Sequence, residues 1–262
     1  MFYYFGYGSN MDLTSMHAKG VHPDASHRAR LRGWRLRFNV QHFFRHEGGV
    51  GNIEQSTDPH DEVQGVLHYC QDKDLAALDA VEAYGFGYDR REVPVESVHG
   101  TTRAIAYIGI PSFLNESCRP TQRYMNILVK GARNAGLDSS YVEGLLRYPV
   151  HEKERYAPFQ APDVSSPTWC CKSLAKAPHL TALAGFVFDM TNARWQHEYL
   201  KKLFGGLDMT VFHLKRMDTS DGRETLDDVR HDRLNTDQHA YLNEYLHEYD
   251  KEYEFAGLFN YE

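Results

Sequence analysis

The sequence lacks any run of apolar residues long enough to cross a membrane as a helix, for which about 20 residues are needed. Its first four residues, Met1-Phe2-Tyr3-Tyr4, are apolar and aromatic, but neither a positively charged start nor a long apolar region accompanies them. A secretory signal peptide has both features. We therefore expect a cytoplasmic protein that does not act on membranes.

Positive charge is not in excess, because 29 Lys and Arg stand against 36 Asp and Glu, which gives a formal net charge of -7 at pH 7. Nucleic-acid-binding surfaces are usually basic, so we expect no nucleic-acid partner. One basic run, residues 28–37, alternates arginines with apolar residues around Gly33. This alternation predicts a half-buried strand with a cationic outer face at about residues 31–41.

Cysteine is scarce, and the four residues contain no Cys-x-x-Cys spacing: Cys70, Cys118, Cys170 and Cys171. We expect free thiols in a reducing compartment. The 15 histidines are scattered along the chain. His42 and His46 have the spacing of metal ligands on a helix, but the phenylalanines between them and the glycines that follow indicate a strand or loop. We therefore expect no metal ion.

Alternating apolar and polar residues predict consecutive strands in the first 150 residues. Beyond the basic strand, they lie at 50–55, 62–70, 88–98 and 102–110. Apolar spacings of three and four predict helices at 72–84, 122–134 and 138–147, and the second of these helices buries Met125, Leu128 and Val129. Consecutive strands with helices around them favour a closed or strongly curved sheet over regular βαβ repeats.

The composition changes after residue 150, because prolines become frequent between 149 and 178. This change predicts a proline-rich linker or arm at 151–180. Beyond it, the patterns predict a strand at 183–190, a helix at 193–204, a second strand at 209–217 and a helix at 237–253. The last helix carries a face of tyrosines that should pack against its own domain or a partner chain. We expect a small α/β extension at 181–262 that covers the first domain or makes a homodimer contact.

Residues 5–10, Phe-Gly-Tyr-Gly-Ser-Asn, predict a turn between a strand and a helix. The glycines allow a ligand to approach the main chain closely, and Ser9 or Asn10 can cap the helix with a side-chain oxygen. The N–H groups of such a turn attract a carboxylate, a phosphate or a developing oxyanion. Taken alone, the turn is more often structural than functional.

Glu82 is the most informative ionisable residue. It follows Leu75 and Leu78 at helical spacing, which places a carboxylate on the face that should point toward the core. A carboxylate that is partly removed from water suits a general acid and base near neutral pH. The alternative is that Glu82 turns to solvent or pairs with Arg90 or Arg91.

Five segments carry a resemblance to one family. They are residues 5–10, 48–53 (Gly-Gly-Val-Gly-Asn-Ile), 61–66 (Asp-Glu-Val-Gln-Gly-Val), 78–82 (Leu-Asp-Ala-Val-Glu) with the residues up to Val93, and Tyr124 with 131–137. In order and approximate spacing they resemble the gamma-glutamylcyclotransferases, over roughly residues 1–150. The resemblance implies an α+β fold in which a mixed β-barrel is flanked by helices, with 1–150 as the catalytic domain.

The resemblance also implies a reaction and a site. In this reaction the α-amine of a γ-glutamyl group attacks its own γ-carbonyl, which closes 5-oxoproline and releases an amino acid or amine. Glu82 would be the catalytic acid and base, without a metal or an organic cofactor. The substrate-binding residues would be Tyr7, Gly8, Ser9, Asn10, Tyr88 and Tyr124.

Residues 43–46 and 51–52 depart from the family pattern, so the resemblance does not identify which γ-glutamyl compound is the substrate. A noncatalytic module that binds γ-glutamyl ligands is one alternative. A cyclotransferase that acts on γ-glutamyl-amines or on a modified metabolite is another. Ser9 as a nucleophile is disfavoured, because no Gly-x-Ser-x-Gly turn and no placed His and Asp accompany it.

Overall fold

The structure, a computed structural model, describes residues 1–162 and 166–261 and divides into two compact units, Met1–Lys153 and Glu154–Glu262. The boundary lies close to the predicted end of the first domain at residue 150. Residues 163–165 of the predicted linker lie outside the described residues, as does Glu262. The roles that the sequence predicts for 151–180 and 181–262 stay predictions.

The first unit is built around a closed barrel of five strands, in the order β1-β5-β2-β6-β7. Antiparallel pairing joins the neighbouring strands except β1 and β7, which close the barrel in parallel. A separate hairpin pairs β3 with β4. The strands of this unit are β1 Phe2–Gly6, β2 Ala25–Arg32, β3 Trp34–Gln41, β4 Gly49–Gln55, β5 Glu62–Cys70, β6 Tyr88–Ser97 and β7 Gly100–Gly109.

The barrel core is filled by alternate residues of these strands, such as Phe5, Leu31, Val63 and Val95. The strand predicted at about 31–41 corresponds to β3, but its predicted start is wrong, because residues 31 and 32 end β2, which belongs to a different sheet. Gly33 separates β2 from β3 with a φ of 71°, a left-handed conformation that glycine adopts without steric cost. The chain can therefore leave the barrel at this point and begin the hairpin.

Four helices flank the barrel: α1 Leu13–Ala18, α2 Leu75–Val81, α3 Gln122–Asn134 and α4 Ser139–Leu146. Helix α3 has the predicted bounds, and its predicted inward residues Met125, Leu128 and Val129 are buried. Helix α2 is shorter than predicted, because a 3-10 turn precedes it and Ala83 has a φ of 50° just after it ends. Glu82 is thereby placed at the C-terminal end of α2.

The second unit contains a four-stranded sheet in the order β8-β11-β10-β9. Its strands are β8 Thr168–Trp169, β9 Leu180–Leu183, β10 Phe186–Asp189 and β11 Glu254–Phe259. Its helices are α5 Cys171–Leu174, α6 Glu198–Phe204, α7 Thr210–Leu214, α8 Leu226–Arg230 and α9 Thr236–Glu252. The sequence patterns had predicted neither β11 nor the short helices α5 and α8.

Two strand predictions in this unit are wrong. The strand predicted at 183–190 spans the end of β9, a turn and β10, because Ala184 and Gly185 both have a positive φ, 47° and 88°, and reverse the chain between the two strands. The strand predicted at 209–217 is mostly helix α7. The buried residues there include Met209, His213 and Met217, at the spacing of four that a helix requires.

Helix α9 agrees with the predicted helix at 237–253, and the tyrosine face is buried within its own unit. The ring of Tyr249, for example, contacts those of Phe188 and Phe204. Asn243 on the same helix hydrogen-bonds the main chain of Ala157 and Phe159, so the start of the predicted arm lies against α9.

Two expectations about the whole chain can be compared with the described residues. All four cysteines are free thiols, as predicted. Within 1–162 and 166–261, no helix combines the length and the apolar character that crossing a membrane requires.

Candidate active site

The turn at residues 5–10 joins β1 to a 3-10 helix, Ser9–Met11, and then to α1. The predicted capping by Ser9 or Asn10 is wrong, because α1 begins after Asp12 and no side chain caps it. The turn nevertheless requires its glycines. A Cβ atom on Gly8 would lie 2.9 Å from the hydroxyl of Tyr124, which is closer than side-chain atoms approach.

Two main-chain donors of this turn are unused. The N–H groups of Gly8 and Asn10 have no hydrogen-bond acceptor among the described residues. Such orphan donors are normal at the start of a helix, where side chains, water or a ligand must satisfy them. An anionic group at this position would therefore gain hydrogen bonds and lose none from the protein.

Glu82 lies beside the turn, although some seventy residues separate them in sequence. Its Oε1 atom accepts a hydrogen bond of 2.9 Å from Nδ2 of Asn10 and lies 3.3 Å from Nζ of Lys19. Lys19 also donates to Oδ1 of Asn10. The side chain of Glu82 is 16% exposed, so it is largely removed from water but still reachable.

The alternative pairing of Glu82 with Arg90 or Arg91 is wrong. Arg90 pairs with Asp79 at 3.2 Å, and its guanidinium lies over the ring of Tyr84. Lys19 is the partner of Glu82 instead. Lys19 lies directly after α1, and its contact with Glu82 is long-range, so no local sequence pattern indicates it.

Tyrosines surround the carboxylate. Tyr88 donates a hydrogen bond of 2.8 Å to the carbonyl of Gly51, and the N–H of Gly51 donates at 2.9 Å to the hydroxyl of Tyr124. Tyr7 donates to the main-chain carbonyl of Tyr107. The structure thus brings the predicted tyrosines together with two that the sequence patterns did not single out, Tyr4 and Tyr107.

These phenols stay protonated at neutral pH. Burial raises the pKa of Tyr4, Tyr7 and Tyr88 well above the usual range, and the negative charge of Glu82 adds to the shift. For Tyr124, burial and then Glu82 raise the pKa to about 12, although the N–H groups of Gly51 and Ser9 oppose the shift. Among the described residues, the groups around Glu82 are therefore neutral hydrogen-bonding groups and one ammonium, that of Lys19.

His68, a fully buried residue of β5, holds the turn from behind. Its Nε2 lies 2.8 Å from the carbonyl of Asn10, and its Nδ1 lies 2.8 Å from the hydroxyl of Ser26. Because a carbonyl only accepts, Nε2 carries the proton and Ser26 donates to Nδ1. Burial lowers the pKa of His68 to about 4, so the imidazole is neutral.

This burial predicts a loss of stability in acid. Unfolded His68 takes up a proton near pH 6.5 and folded His68 only near pH 4. Its contribution is therefore complete above pH 6.5 and declines as the pH falls to 4, by at most about 1.4 kcal/mol per pH unit. We expect His68→Gln to reduce the difference in unfolding free energy between pH 7.5 and 5.0, measured by urea titration. The exposed His60→Gln is the control, and an unchanged difference in His68→Gln would contradict the prediction.

No obvious set of metal ligands lies among the described residues. The part of the chain that the structure describes contains no group of three or more His, Cys, Asp or Glu side chains that could hold a metal ion. His42 is half-buried, and its removal from water lowers its pKa to about 4. Its Nδ1 interacts with the main chain of Phe44.

Known proteins resemble this chain in both sequence and fold. Residues 62–145 match the AIG2-like family. The chain is 31% identical over 148 residues to the gamma-glutamylcyclotransferases of Mus musculus and Homo sapiens, and each alignment covers 55% of this chain and 77% of the relative. A solved gamma-glutamyl cyclotransferase structure superimposes with a TM-score of 0.51 at 29% identity, over 58% of this chain and 89% of that one. The predicted fold is confirmed, and these relatives support a cyclotransferase-like function.

Proposed function

The chain belongs to the gamma-glutamylcyclotransferase family, and from this premise we propose that it converts the γ-glutamyl group of a small molecule to 5-oxoproline and releases an amino acid or an amine. The observation that carries the proposal is the position of Glu82. A largely buried carboxylate lies next to a turn with unused N–H donors and is enclosed by neutral tyrosines.

The first step needs a base. The α-ammonium group of the substrate is not a nucleophile until it loses a proton, and Glu82 is the carboxylate positioned to accept it. The free amine then attacks the γ-carbonyl, and a new C–N bond closes a five-membered ring. The negative charge that develops on the carbonyl oxygen would be stabilised by main-chain donors of the turn, including Gly8 and Asn10.

The second step needs an acid. The C–N bond to the leaving group breaks, and Glu82 returns its proton to the departing nitrogen, so the carboxylate is regenerated. The new ring nitrogen gives up its extra proton to the released amine, which leaves as an ammonium ion. The reacting amine and carbonyl belong to one molecule, and therefore much of the acceleration can come from holding them in a folded conformer. Neutral phenols such as Tyr88 and Tyr124 can hold the substrate without competing for the proton.

A serine nucleophile fits this site poorly. Ser9 would need a nearby histidine as its base. His68 is the histidine behind this turn, and its two ring nitrogens already bind the carbonyl of Asn10 and the hydroxyl of Ser26. Ser9 is better explained as part of the substrate-binding turn.

A panel of substrates tests the proposal. γ-Glutamyl amino acids, γ-glutamyl-amines and glutathione would be incubated with the protein, and 5-oxoproline would be quantified. We expect 5-oxoproline from at least one class. The matched control is the best substrate with its α-amine acetylated, which cannot cyclise but remains a substrate for a hydrolase.

Each outcome of the panel has a separate meaning. Cleavage of the acetylated compound would contradict cyclisation and favour hydrolysis. Saturable binding of γ-glutamyl compounds without turnover would indicate a noncatalytic binding module. The substrate class that turns over fastest would identify the leaving group. The family resemblance does not identify it, because residues 43–46 and 51–52 depart from the family pattern.

A further inference from the structure

The two oxygens of the Glu82 carboxylate have different surroundings. Oε1 accepts from Nδ2 of Asn10 at 2.9 Å and from Nζ of Lys19 at 3.3 Å. No donor among the described residues hydrogen-bonds to Oε2. One oxygen is therefore anchored by the protein, and the other is left for a ligand.

The anchor is a closed ring of three side chains. Lys19 donates to Oδ1 of Asn10, Asn10 donates through Nδ2 to Glu82, and Lys19 donates to the same Glu82 oxygen. Asn10 also donates at 2.5 Å to the hydroxyl of Tyr4. The side chain of Lys19 is only 11% exposed, so its ammonium is held within the site and does not move freely in solvent.

We infer that Oε2 of Glu82 is the atom that exchanges the proton with the substrate, and that Lys19 is a positioning residue that fixes the carboxylate through Oε1. This inference rests on the proposed function and adds to it a residue and an atom. The torsion that turns a glutamate carboxylate has broad minima. Two donors on one oxygen restrict that rotation and point the other oxygen toward the substrate.

The charge of Lys19 acts in addition to its position. Among the described residues, Lys19 is the cation that pairs with Glu82. The other groups that face the carboxylate are the neutral phenols of β1, the turn, β6, β7 and α3, namely Tyr4, Tyr7, Tyr88, Tyr107 and Tyr124. Asp79, one helical turn before Glu82, is bound to Arg90 and Tyr107.

The ammonium of Lys19 lies 3.3 Å from Oε1 of Glu82, so it attracts the negative charge of the carboxylate. The same attraction acts on the carboxylate that is regenerated when the proton passes to the departing nitrogen. Lys19 therefore bears on the second half of the reaction as well as on the resting state.

Lys19→Met tests the inference with the substrate that the panel identifies. We expect kcat to fall by about 100-fold, the effect of a misplaced catalytic group, while KM changes little. We also expect the acidic limb of the pH–rate profile to move to higher pH, because the carboxylate loses its neighbouring cation. Lys19→Arg keeps a cation with several donors and should restore most of kcat.

Lys130→Met is the matched control. Lys130 on α3 pairs at 3.5 Å with Asp12, the residue before α1, and makes no ion pair with Glu82, so the kinetics of the variant should equal those of the wild type. Lys19→Gln, which can still bind Asn10 but has no charge, replaces the methionine variant if that variant does not fold. Its acidic limb should move in the same direction.

The outcomes separate this inference from the proposed function. A wild-type protein that releases no 5-oxoproline overturns both. An active wild type with an equally active Lys19→Met and an unmoved pH–rate profile overturns the inference alone. A loss of kcat that Lys19→Arg restores, together with the moved acidic limb, supports it, because a purely structural role would not change the pH dependence.

Discussion

Glu82→Gln is expected to lower kcat/KM for 5-oxoproline release by about a thousandfold, within the range that general acid–base catalysis contributes in enzymes. The amide of glutamine cannot accept the proton of the substrate ammonium, and it cannot return one to the leaving group. Both steps of the proposed reaction therefore lose their proton carrier. The measurement is the initial rate of 5-oxoproline formation, compared with wild type over a range of substrate concentrations.

The substitution should leave the fold intact. The carbonyl oxygen of the glutamine amide can still accept from Asn10 and Lys19, which bind Oε1 in the wild type. Thermal unfolding would verify this. Glu92→Gln is the matched control, because Glu92 lies on β6 with its side chain 63% exposed and pairs with Arg103 on the adjacent strand.

Ligand binding separates catalysis from recognition in the same variant. If Glu82 acts as acid and base, Glu82→Gln should bind a γ-glutamyl compound that it does not convert. Full activity in Glu82→Gln would contradict the proposed mechanism. Equal losses in Glu82→Gln and Glu92→Gln would indicate a general effect of removing an acidic side chain.

Strands β5, β6 and β7 of the barrel could be predicted from sequence, and in β6 and β7 burial of one face imposes alternation. Strand β2 at Ala25–Arg32 was not predicted. Helix α3 could be predicted because its apolar residues recur at spacings of three and four and form one buried face. The patterns failed where a single conformation reverses or redirects the chain. Gly33 separates two sheets, and Ala184 with Gly185 turns one predicted strand into a hairpin.

The prediction of a strand at 209–217, where helix α7 lies, failed for another reason. Residues 209–217 alternate well enough to suggest a strand, and the segment is too short for its period to decide between strand and helix. Tertiary contacts decide instead. The ring of His213 in this helix lies 3.9 Å from that of Tyr245 on α9, measured between centroids, a contact that a local pattern does not contain.

The residues of the candidate site also divide into those that the sequence patterns could identify and those that they could not. Glu82 and the turn at 5–10 could be found because each lies in a short segment with a recognisable pattern. Lys19, Tyr4 and Tyr107 could not, because their proximity to Glu82 depends on how α1, β1 and β7 assemble. The roles of all these residues stay predictions until the variants are measured, whereas their proximity is a property of the fold.

Tyr124→Phe is expected to lower kcat/KM by about 100-fold, because the Tyr124 hydroxyl links the turn at residues 5–10 to strand β4. It accepts a hydrogen bond of 2.9 Å from the main-chain N–H of Gly51 and packs against Gly8 of the turn. Its own hydrogen has no acceptor among the described residues and can be donated to the substrate. The variant loses that donor and leaves the buried N–H group of Gly51 without its acceptor, at a cost of about 1–3 kcal/mol.

The space around this hydroxyl strengthens the expectation. A Cβ atom on Gly8 or on Gly51 would lie 2.9 Å or 3.0 Å from it, so the oxygen is packed between the two glycines. Its removal leaves a gap of about one atom, which is too small for a water molecule unless the two segments separate. Separation would displace the N–H donors of the turn, and therefore the oxyanion contacts, together with the binding of the substrate.

Tyr148→Phe provides the control with the same chemical change. Tyr148 and Tyr124 both pack edge-on against Phe38, with centroid distances of 4.5 Å and 6.2 Å. The hydroxyl of Tyr148 makes no hydrogen bond to a described residue, so its loss should alter neither stability nor kinetics. Kinetics and urea unfolding of both variants distinguish the possibilities. Unaltered kinetics in Tyr124→Phe would remove Tyr124 from the proposed site, whereas a loss of stability without a loss of kcat/KM would restrict it to holding the turn.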